Sequence, residues 1–227
     1  MEYYRLLHGG GERWGCCFHC ISPTTTGLTF FAVEISGGGT PSEGMTLPTT
    51  PTQIWDATTG QIQRVYRKLT ETEFTSVALD SRHRKFVTGD QEGVVKVWHY
   101  TTGMPLNTLP AHGAEVNQVV PVAPMVFASV SNDRSVHVCE EETEEDAGRL
   151  LRGMRTSAAT TSCAAAAGLD LLAAGTRDHQ IDLFSMHSGV QQTSLKGHHG
   201  EVTAMLVLES HGVLLSADSE GRYGFWF

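Results

Sequence analysis

A seven-residue phrase recurs along the chain and decides the fold. It reads IWDATTG at 54–60, VWHYTTG at 97–103 and LFSMHSG at 183–189. Each copy is a short β-like stretch that ends near an aromatic residue and is followed by turn residues. Two further stretches, VHVC at 136–139 and YGFW at 223–226, fit the same position. The spacings between the closing residues are 43, 41, 45 and 42, the period of a repeat protein. Those closing residues are Trp55, Trp98, Cys139, Phe184 and Trp226.

The repeats also align with one another over their whole length. A shift of 86 residues places 86–89 on 172–175 and 112–116 on 198–202 without a gap. Chance does not keep one offset across so many positions. The chain is therefore an array of internal repeats that accounts for nearly all of its length.

Each repeat contains four short apolar or alternating runs separated by turn residues. In the last repeat the runs lie at 190–195, 201–208, 213–217 and 222–226. Four short antiparallel strands in a unit of this size indicate a blade of a β-propeller. We predict an all-β protein, a β-propeller of about five four-stranded blades, at 1–58, 59–102, 103–143, 144–187 and 188–227.

One stretch conflicts with this prediction when it is taken in isolation. Residues 157–175 are rich in alanine, which favours a helix on propensity alone. Glycine and aspartate interrupt the stretch, and its part at 161–175 aligns without gaps on residues 75–89, which are typical of two strands. We therefore predict strands in this stretch.

Length and charge limit the class of protein and its partners. The 227 residues, 40% of them hydrophobic, suffice for one domain spanning 1–227, and 16 Lys+Arg against 25 Asp+Glu give a net charge of −9. This acidic balance, without a basic run, argues against nucleic acid or an anionic membrane as the main partner. The start of the chain lacks the apolar run of a secretory signal, and the odd number of cysteines favours an intracellular, cytoplasmic location.

The repeats resemble the WD-repeat family. Gly197-His198 followed by Glu201-Val202 is similar to the opening of a family repeat, and Trp55-Asp56 is a literal Trp-Asp closing. The resemblance implies a buried hydrogen-bonded set of His, Ser/Thr, Asp and Trp in each blade. Carried over to this chain, the set comprises His198, Ser216, Glu220 and Trp226 in the last repeat; His112, Ser129 and Asp133 in the third; Thr88, Glu92 and Trp98 in the second; Asp178 in the fourth; and Trp55 in the first.

We interpret this set as structural and assign it no catalytic role. A buried imidazole needs a partner at both nitrogens, and a hydroxyl and a turn carboxylate supply them. The sequence lacks the motifs of phosphate-binding loops, dinucleotide sites and common hydrolases. We expect no cofactor, no metal and no small-molecule substrate.

A narrower resemblance concerns location. Residues 74–80, 85–89 and 93–100 are similar to WD-repeat proteins associated with cilia and flagella, which are larger chains with two propellers. This resemblance implies a location in the cilium or flagellum.

The cysteine cluster at 16–20 has the composition of a metal or redox site. It contains a Cys-x-x-Cys pair, Cys17 and Cys20, with His19 between them. A structural zinc site needs four ligands, usually from two such pairs, and the chain has no second pair. A redox pair favours a helix N-terminus, whereas this run aligns with a predicted strand. We predict buried cysteines that serve as small hydrophobic residues.

Two predicted loops are distinctive. Residues 37–51 are rich in Gly, Pro and Thr and predict a flexible insertion. The loop at 140–148 contains an acidic run that is by default solvated, and it is also a candidate surface for a basic partner. The acidic residues of that run are Glu140, Glu141, Glu142, Glu144, Glu145 and Asp146.

The leading hypothesis is a non-catalytic scaffold that binds other proteins and assembles a multiprotein complex. A structural subunit of an axonemal complex is the alternative, and an enzyme with a site at the mouth of a central channel is a third reading. Propellers have 4–8 blades, and the resemblance implies seven, so five predicted blades mean either an unusual closed ring or part of one. We favour the partial ring.

Overall fold

The computed structural model describes residues 15–24, 27–35, 52–56, 61–66, 69, 72, 74–80, 82, 84–141 and 147–227. Within these ranges the regular structure consists of β-strands and two single 3₁₀ turns, Ala167–Leu169 and Glu209–His211. The strands are β1 (Gly15–Thr24), β2 (Gly27–Ile35), β3 (Thr52–Asp56), β4 (Ile62–Tyr66), β5 (Phe74–Leu79), β6 (Lys85–Asp90), β7 (Val95–His99), β8 (Pro105–Leu109), β9 (Val116–Ala123), β10 (Val126–Ser131), β11 (Ser135–Glu140), β12 (Arg149–Arg155), β13 (Thr160–Ala166), β14 (Leu171–Thr176), β15 (Gln180–Ser185), β16 (Gln191–Lys196), β17 (Val202–Leu208), β18 (Val213–Asp218) and β19 (Tyr223–Trp226).

The strands form antiparallel sheets in which chain neighbours are hydrogen-bonded neighbours. Four sheets have four strands, β1–β4, β5–β8, β9–β12 and β13–β16, and the sheet β17–β19 has three. This meander follows from the sequence, because short apolar runs joined by tight turns pair with the run before them. The all-β fold class and the strands predicted in the Ala-rich stretch are confirmed: β13 and β14 lie there, joined by a 3₁₀ turn.

The chain divides into two compact units, 1–69 and 70–227. The first contains the sheet β1–β4, in which Ile54 is fully buried. The second contains the other four sheets. Their first strands contact one another in order: β5 contacts β9, β9 contacts β13, and β13 contacts β17.

The core of the second unit lies between successive sheets. Val87 of β6 and Val119 of β9 share one buried cluster, and Ala173 of β14 and Val202 of β17 share another. A sheet buried on both faces favours continuous apolar runs over strict alternation. The pattern of β14, Leu171–Thr176, follows this rule, since five of its six residues are buried.

Two glycines allow neighbouring sheets to approach closely. A Cβ on Gly89 would lie 2.5 Å from Cγ1 of Val116, and a Cβ on Gly175 would lie 2.7 Å from Cγ1 of Val202. The two pairs are separated by the same 86 residues that align the repeats. The offset found in the sequence is therefore an offset between equivalent sheet contacts.

The hydrogen-bonded sheets are displaced by one strand from the predicted repeat boundaries. The run at 190–195 belongs to the predicted unit 188–227, but it forms β16 and pairs with β15 of the preceding sheet. The sheet β17–β19 consequently has three strands, and no described strand pairs with the outer edge of β19. The predicted insertion at 37–51 lies outside the described residues. The described residues also contain no helix with the length and apolar character needed to cross a membrane.

Candidate functional site

The last sheet holds a chain of polar contacts from the closing tryptophan to a carboxylate. Nε1 of Trp226 donates to Oγ of Ser216 at 2.8 Å, and that oxygen lies 2.6 Å from Nε2 of His198. Nδ1 of His198 lies 3.0 Å from Oδ2 of Asp218. The carboxylate accepts from Nδ1, so in the neutral imidazole Nε2 accepts the serine hydroxyl. Every polar group of this contact chain has a partner.

The carboxylate in this contact chain is not the predicted one. Glu220 points toward solvent and forms only an exposed pair with Arg222 at 3.6 Å, whereas the side chain of Asp218 is fully buried. Asp218 also accepts from the backbone N–H groups of Glu220 at 3.1 Å and Arg222 at 2.9 Å. The short aspartate at the end of the strand binds the turn N–H groups, which leaves the longer glutamate in solvent. The assignment of Glu220 to the buried set is wrong.

The second repeat needs the same correction. Nε1 of Trp98 donates to Oγ1 of Thr88 at 2.8 Å, so these two predicted residues are in contact. Glu92 is exposed, and Asp90 accepts from the N–H groups of Glu92 at 3.0 Å and Val94 at 2.8 Å. Both corrected turns read Asp-x-Glu-Gly in the sequence, 90–93 and 218–221. That shared motif is the signal that could have identified the aspartates.

In the third and fourth repeats the carboxylate lies two residues beyond the end of the strand. Asp133 accepts from the N–H of Gly113 at 2.7 Å and from Oγ of Ser135 at 2.5 Å. Asp178 accepts from Oγ of Ser157 at 3.1 Å and from the hydroxyl of Thr176. Here the strand ends in a hydroxyl residue, Ser131 or Thr176, and the aspartate that follows it provides the turn carboxylate.

The third repeat contains a histidine pair, of which sequence reasoning found His112 and missed the half-buried His137. His112 lies between two hydroxyls, with Nε2 2.8 Å from Oγ of Ser129 and Nδ1 2.8 Å from Oγ of Ser135. His137 stacks on it with ring centroids 4.0 Å apart. The ring of His137 bonds the backbone of Pro110, while its Nδ1 is buried with no hydrogen-bond partner in the described part of the chain.

Burial keeps both imidazoles neutral. Burial, and then the charge of His137, lowers the pKa of His112 from 6.5 to about 4, although Asp133 acts in the opposite direction. Burial also lowers the pKa of His137. Burial raises the pKa of Asp133, but hydrogen bonds from Ser135 and Gly113 outweigh it and lower that pKa to about 2.

We predict a loss of stability in mild acid that arises from His112. Its pKa is lower in the folded chain, so between pH 6.5 and 4 the unfolded chain binds the proton more readily and stability falls as the pH falls. The expected loss is about 3 kcal/mol of unfolding free energy over this range. Urea titrations at pH 7.5, 5.5 and 4.5 measure it, with His112→Gln as the comparison. An equal loss in His112→Gln would contradict the assignment.

The other predicted positions are the closing residues of the sheets and the cysteine cluster, and the structure describes the burial of only some of them. Cys139 and Phe184 occupy the closing positions of their sheets and are buried. Burial raises the pKa of the Cys139 and Cys163 thiols to about 12, which makes both poor nucleophiles. Trp55 lies on β3 and the cysteine cluster lies on β1. The structure describes the strand at these residues but not their side chains. The described residues contain no group of three or more side chains suited to hold a metal ion.

The acidic run is engaged in part by its own chain. Glu141 is 4% exposed and pairs with Nζ of Lys85 at 2.6 Å, so it is not available to a partner, and its place among the candidate binding residues is wrong. Glu140 pairs with Arg149 at 2.9 Å on the surface. The other predicted members, Glu142, Glu144, Glu145 and Asp146, lie outside the described residues.

The sheet β17–β19 leaves one face uncovered. The register pairs Leu206 with Leu215 and Leu215 with Phe225, so these side chains share a face. The opposite face carries Met205 and Trp226, which pack against the preceding sheet. We call the exposed surface the β17–β19 face; the residues in register on it, none of them charged, are Ala204, Leu206, Leu208, Val213, Leu215, Ala217, Tyr223 and Phe225, and all but Val213 are at least partly exposed.

The exposure of this face is exceptional among the four sheets of the second unit, within the residues whose burial the structure describes. Tyr223 is 79% exposed, whereas its equivalents one, two and three sheets earlier, Ile181, Val136 and Val95, are each 0% exposed. Phe225 is 61% exposed, whereas its equivalent Val97 is 0% exposed. Exposed contiguous apolar surface of this kind marks interaction sites.

The fold and these contacts define an all-β protein built of stacked antiparallel sheets with buried polar sets. No protein-family model matches the chain. Over 87 residues it is 29% identical to the cilia- and flagella-associated protein 337 B of Tetrahymena thermophila, a match that spans 38% of this chain and 7% of that protein. The crystal structure of a computationally designed protein, Ika4, is similar in fold, with a TM-score of 0.59 and 23% identity over 70% of this chain and 92% of that chain.

Proposed function

We propose that the chain is a non-catalytic protein-binding scaffold of the WD-repeat type, a β-propeller of about five blades. The repeated sheets and the His–Ser–Trp contacts support the architecture. The main support for a binding function is the exposed apolar β17–β19 face. In the second unit each sheet receives the next one on an apolar face, and the β17–β19 face is the exposed apolar face at the end of this series.

The occupant of this face is an apolar β-sheet surface of a protein partner. The established contacts in the second unit are all sheet on sheet, and a partner sheet continues that geometry. A further strand on the outer edge of β19 would complete a four-stranded sheet, as in the three sheets before it. The face has no charged residue, which makes it a poor surface for a highly charged ligand.

The test compares two substitutions of equally exposed apolar residues. Phe225, 61% exposed, lies on the β17–β19 face, and Met104, 62% exposed, lies between β7 and β8, off that face. Phe225→Glu places a charge in the partner contact, and we expect it to reduce recovery of specific partners about tenfold or more. Met104→Glu introduces the same charge and is expected to leave recovery unchanged.

The measurement is affinity purification of the tagged full chain from cells that express it, with quantitative mass spectrometry. Circular dichroism establishes that both variants fold. If folded Phe225→Glu retains every partner that the unmodified chain recovers, the face is not the docking surface and the scaffold proposal fails.

A second candidate is a structural subunit of a ciliary or flagellar assembly in the cytoplasmic compartment. The observation that favours it is the partial similarity to a cilia- and flagella-associated protein. Fluorescent tagging in ciliated cells tests it, and axonemal fluorescence that resists detergent extraction is the expected result. Diffuse fluorescence that detergent removes would contradict it.

A further inference from the structure

Two adjacent turns of the second unit carry basic side chains in a backbone conformation that favours glycine. The turns between the second and third strands of the four sheets are equivalent. Their residues with positive φ are Gly93 at +88°, Arg134 at +66°, His179 at +67° and Gly221 at +81°. Glycine adopts this region without strain, and a side chain adopts it at a cost. The two middle turns therefore keep a side chain where the outer turns have none.

Three exposed arginines lie together at these turns. Arg134 is in the β10–β11 turn, Arg155 ends β12, and Arg177 is in the β14–β15 turn. The connecting segment 156–159 links them: the N–H of Thr156 donates to the carbonyl of Arg134 at 3.0 Å, and the N–H of Arg177 donates to the carbonyl of Ala159 at 3.0 Å. Three residues of chain span at most about 10 Å. Only the segment 156–159 therefore separates the backbones of Arg134 and Arg155 from that of Arg177.

The segment that links these arginines is held in place. Oγ1 of Thr156 donates to the carbonyl of Arg134 at 3.1 Å, and the N–H of Ser157 donates to Oδ2 of buried Asp182 at 3.2 Å. Asp182 also accepts from Oγ of Ser194 at 2.6 Å. A fixed backbone presents the three guanidinium groups without a large ordering cost on binding.

The three guanidinium groups have no acidic partner within the described ranges. The ion pairs with Glu141, Glu140 and Glu220 are formed by other cations, Lys85, Arg149 and Arg222. The nearby carboxylates Asp133 and Asp178 are already engaged by hydroxyl and N–H groups of their own turns. In a chain of net charge −9, three exposed arginines without an ion-pair partner in the described ranges present positive charge that a ligand can bind, beside the engaged carboxylates of Asp133 and Asp178. We call Arg134, Arg155, Arg177 and His179 the arginine rim.

We propose that the arginine rim binds a short acidic peptide segment of a partner protein. Guanidinium groups bind carboxylates in a planar, two-bond geometry, and exposed arginines without internal partners are free to do so. The flanking turns carry exposed Glu92 and Glu220, which confine the positive surface to the two middle turns. A long polyanion such as nucleic acid would extend over these glutamates, whereas a peptide of a few acidic residues fits between them.

This proposal rests on the scaffold function and names one class of partner for it. The probe is a fluorescent peptide of six glutamates, and binding to the full chain is measured by anisotropy. We expect the double variant Arg134→Gly/Arg177→Ala to weaken binding about tenfold or more. Arg84→Ala removes an exposed arginine at the opposite end of its sheet and is expected to change binding less than about twofold.

Glycine at residue 134 separates binding from folding. Glycine is the residue of the equivalent turns 93 and 221, so Arg134→Gly relieves the strained φ while it adds freedom to the unfolded chain. We expect its Tm to stay within about 3 °C of the unmodified chain while the affinity for the acidic peptide falls.

Three outcomes would overturn the arginine rim as an acidic-peptide site. They are equal affinity in all variants, equal binding of a six-glutamine peptide, and tighter binding of a six-nucleotide DNA strand. The scaffold proposal is judged separately by the Phe225→Glu purification. Partners lost in Phe225→Glu but kept in the rim variants would leave the scaffold standing without the rim. Binding of the acidic peptide together with recovery of no partner in the purification would leave the rim standing without the scaffold.

Discussion

Replacing Asp218 by alanine is expected to lower the Tm by about 10 °C or more, one of the two largest effects predicted for this chain. The carboxylate accepts from the Nδ1 atom of His198 and from the N–H groups of His199, Glu220 and Arg222. Alanine leaves these donors without an acceptor in a place that water reaches poorly. Thermal unfolding followed by circular dichroism measures the change.

Glu220→Ala is the matched control for Asp218→Ala. It removes a carboxylate two residues away whose side chain is half exposed and paired only with Arg222. Exposed pairs contribute little to stability, so the Tm is expected to change by less than about 2 °C. Equal destabilisation by the two variants would restore Glu220 to the buried set and contradict the assignment of Asp218.

Gly175→Ala is expected to destabilise the second unit by about 3 kcal/mol. The new Cβ would lie 2.6 Å from Oγ of Ser162 and 2.8 Å from Cβ of Val202. Val202 is fully buried, and its carbonyl accepts from the hydroxyl of Ser162 at 2.9 Å. Strand β17, which begins at Val202, therefore cannot move aside freely. Urea unfolding at pH 7.5 measures the loss.

Gly153→Ala is the control for the glycine prediction. Gly153 lies on β12, and a Cβ there would meet Cδ2 of Leu150 at an ordinary 3.7 Å. We expect a change within about 0.5 kcal/mol, in either direction. A small loss for Gly175→Ala would mean that the sheets separate at little cost and that the 86-residue offset does not reflect tight packing.

The sequence predicts the strands because period and turn chemistry are local properties. Closing residues that recur every 41 to 45 positions, with tight turns between them, leave room for four short strands and little else. The alanine-rich stretch forms strands like the residues it aligns with, against its own helix propensity. The run at 190–195, which was predicted in the last unit but forms β16 of the preceding sheet, has a different explanation. Sequence repeats show where the motif recurs, whereas hydrogen bonding decides that β16 pairs with β15.

The site could be predicted only in part. His198, Ser216 and Trp226 are in contact because they stand at fixed positions on neighbouring strands. Asp90 and Asp218 were missed because an acidic residue two places later also fits the turn, and only geometry distinguishes the two. The exposure of Phe225 could not be predicted, because the sequence of a strand does not show whether a neighbouring sheet covers its apolar residues.

A hydrogen bond between the first strands of successive sheets, which contact one another in order, has a consequence for how such a chain grows. The hydroxyls of Thr75 and Thr161 donate to the carbonyls of Val116 and Val202, respectively. At the intervening junction the equivalent residue, Asn117, donates from Nδ2 to the carbonyl of Thr160, the first residue of β13. The same contact therefore recurs at the three described junctions of the second unit, with asparagine in place of threonine at the middle one. Judged by this contact, the natural increment of the array is a single sheet, and exchanging one sheet for another would keep the acceptor carbonyl at each junction.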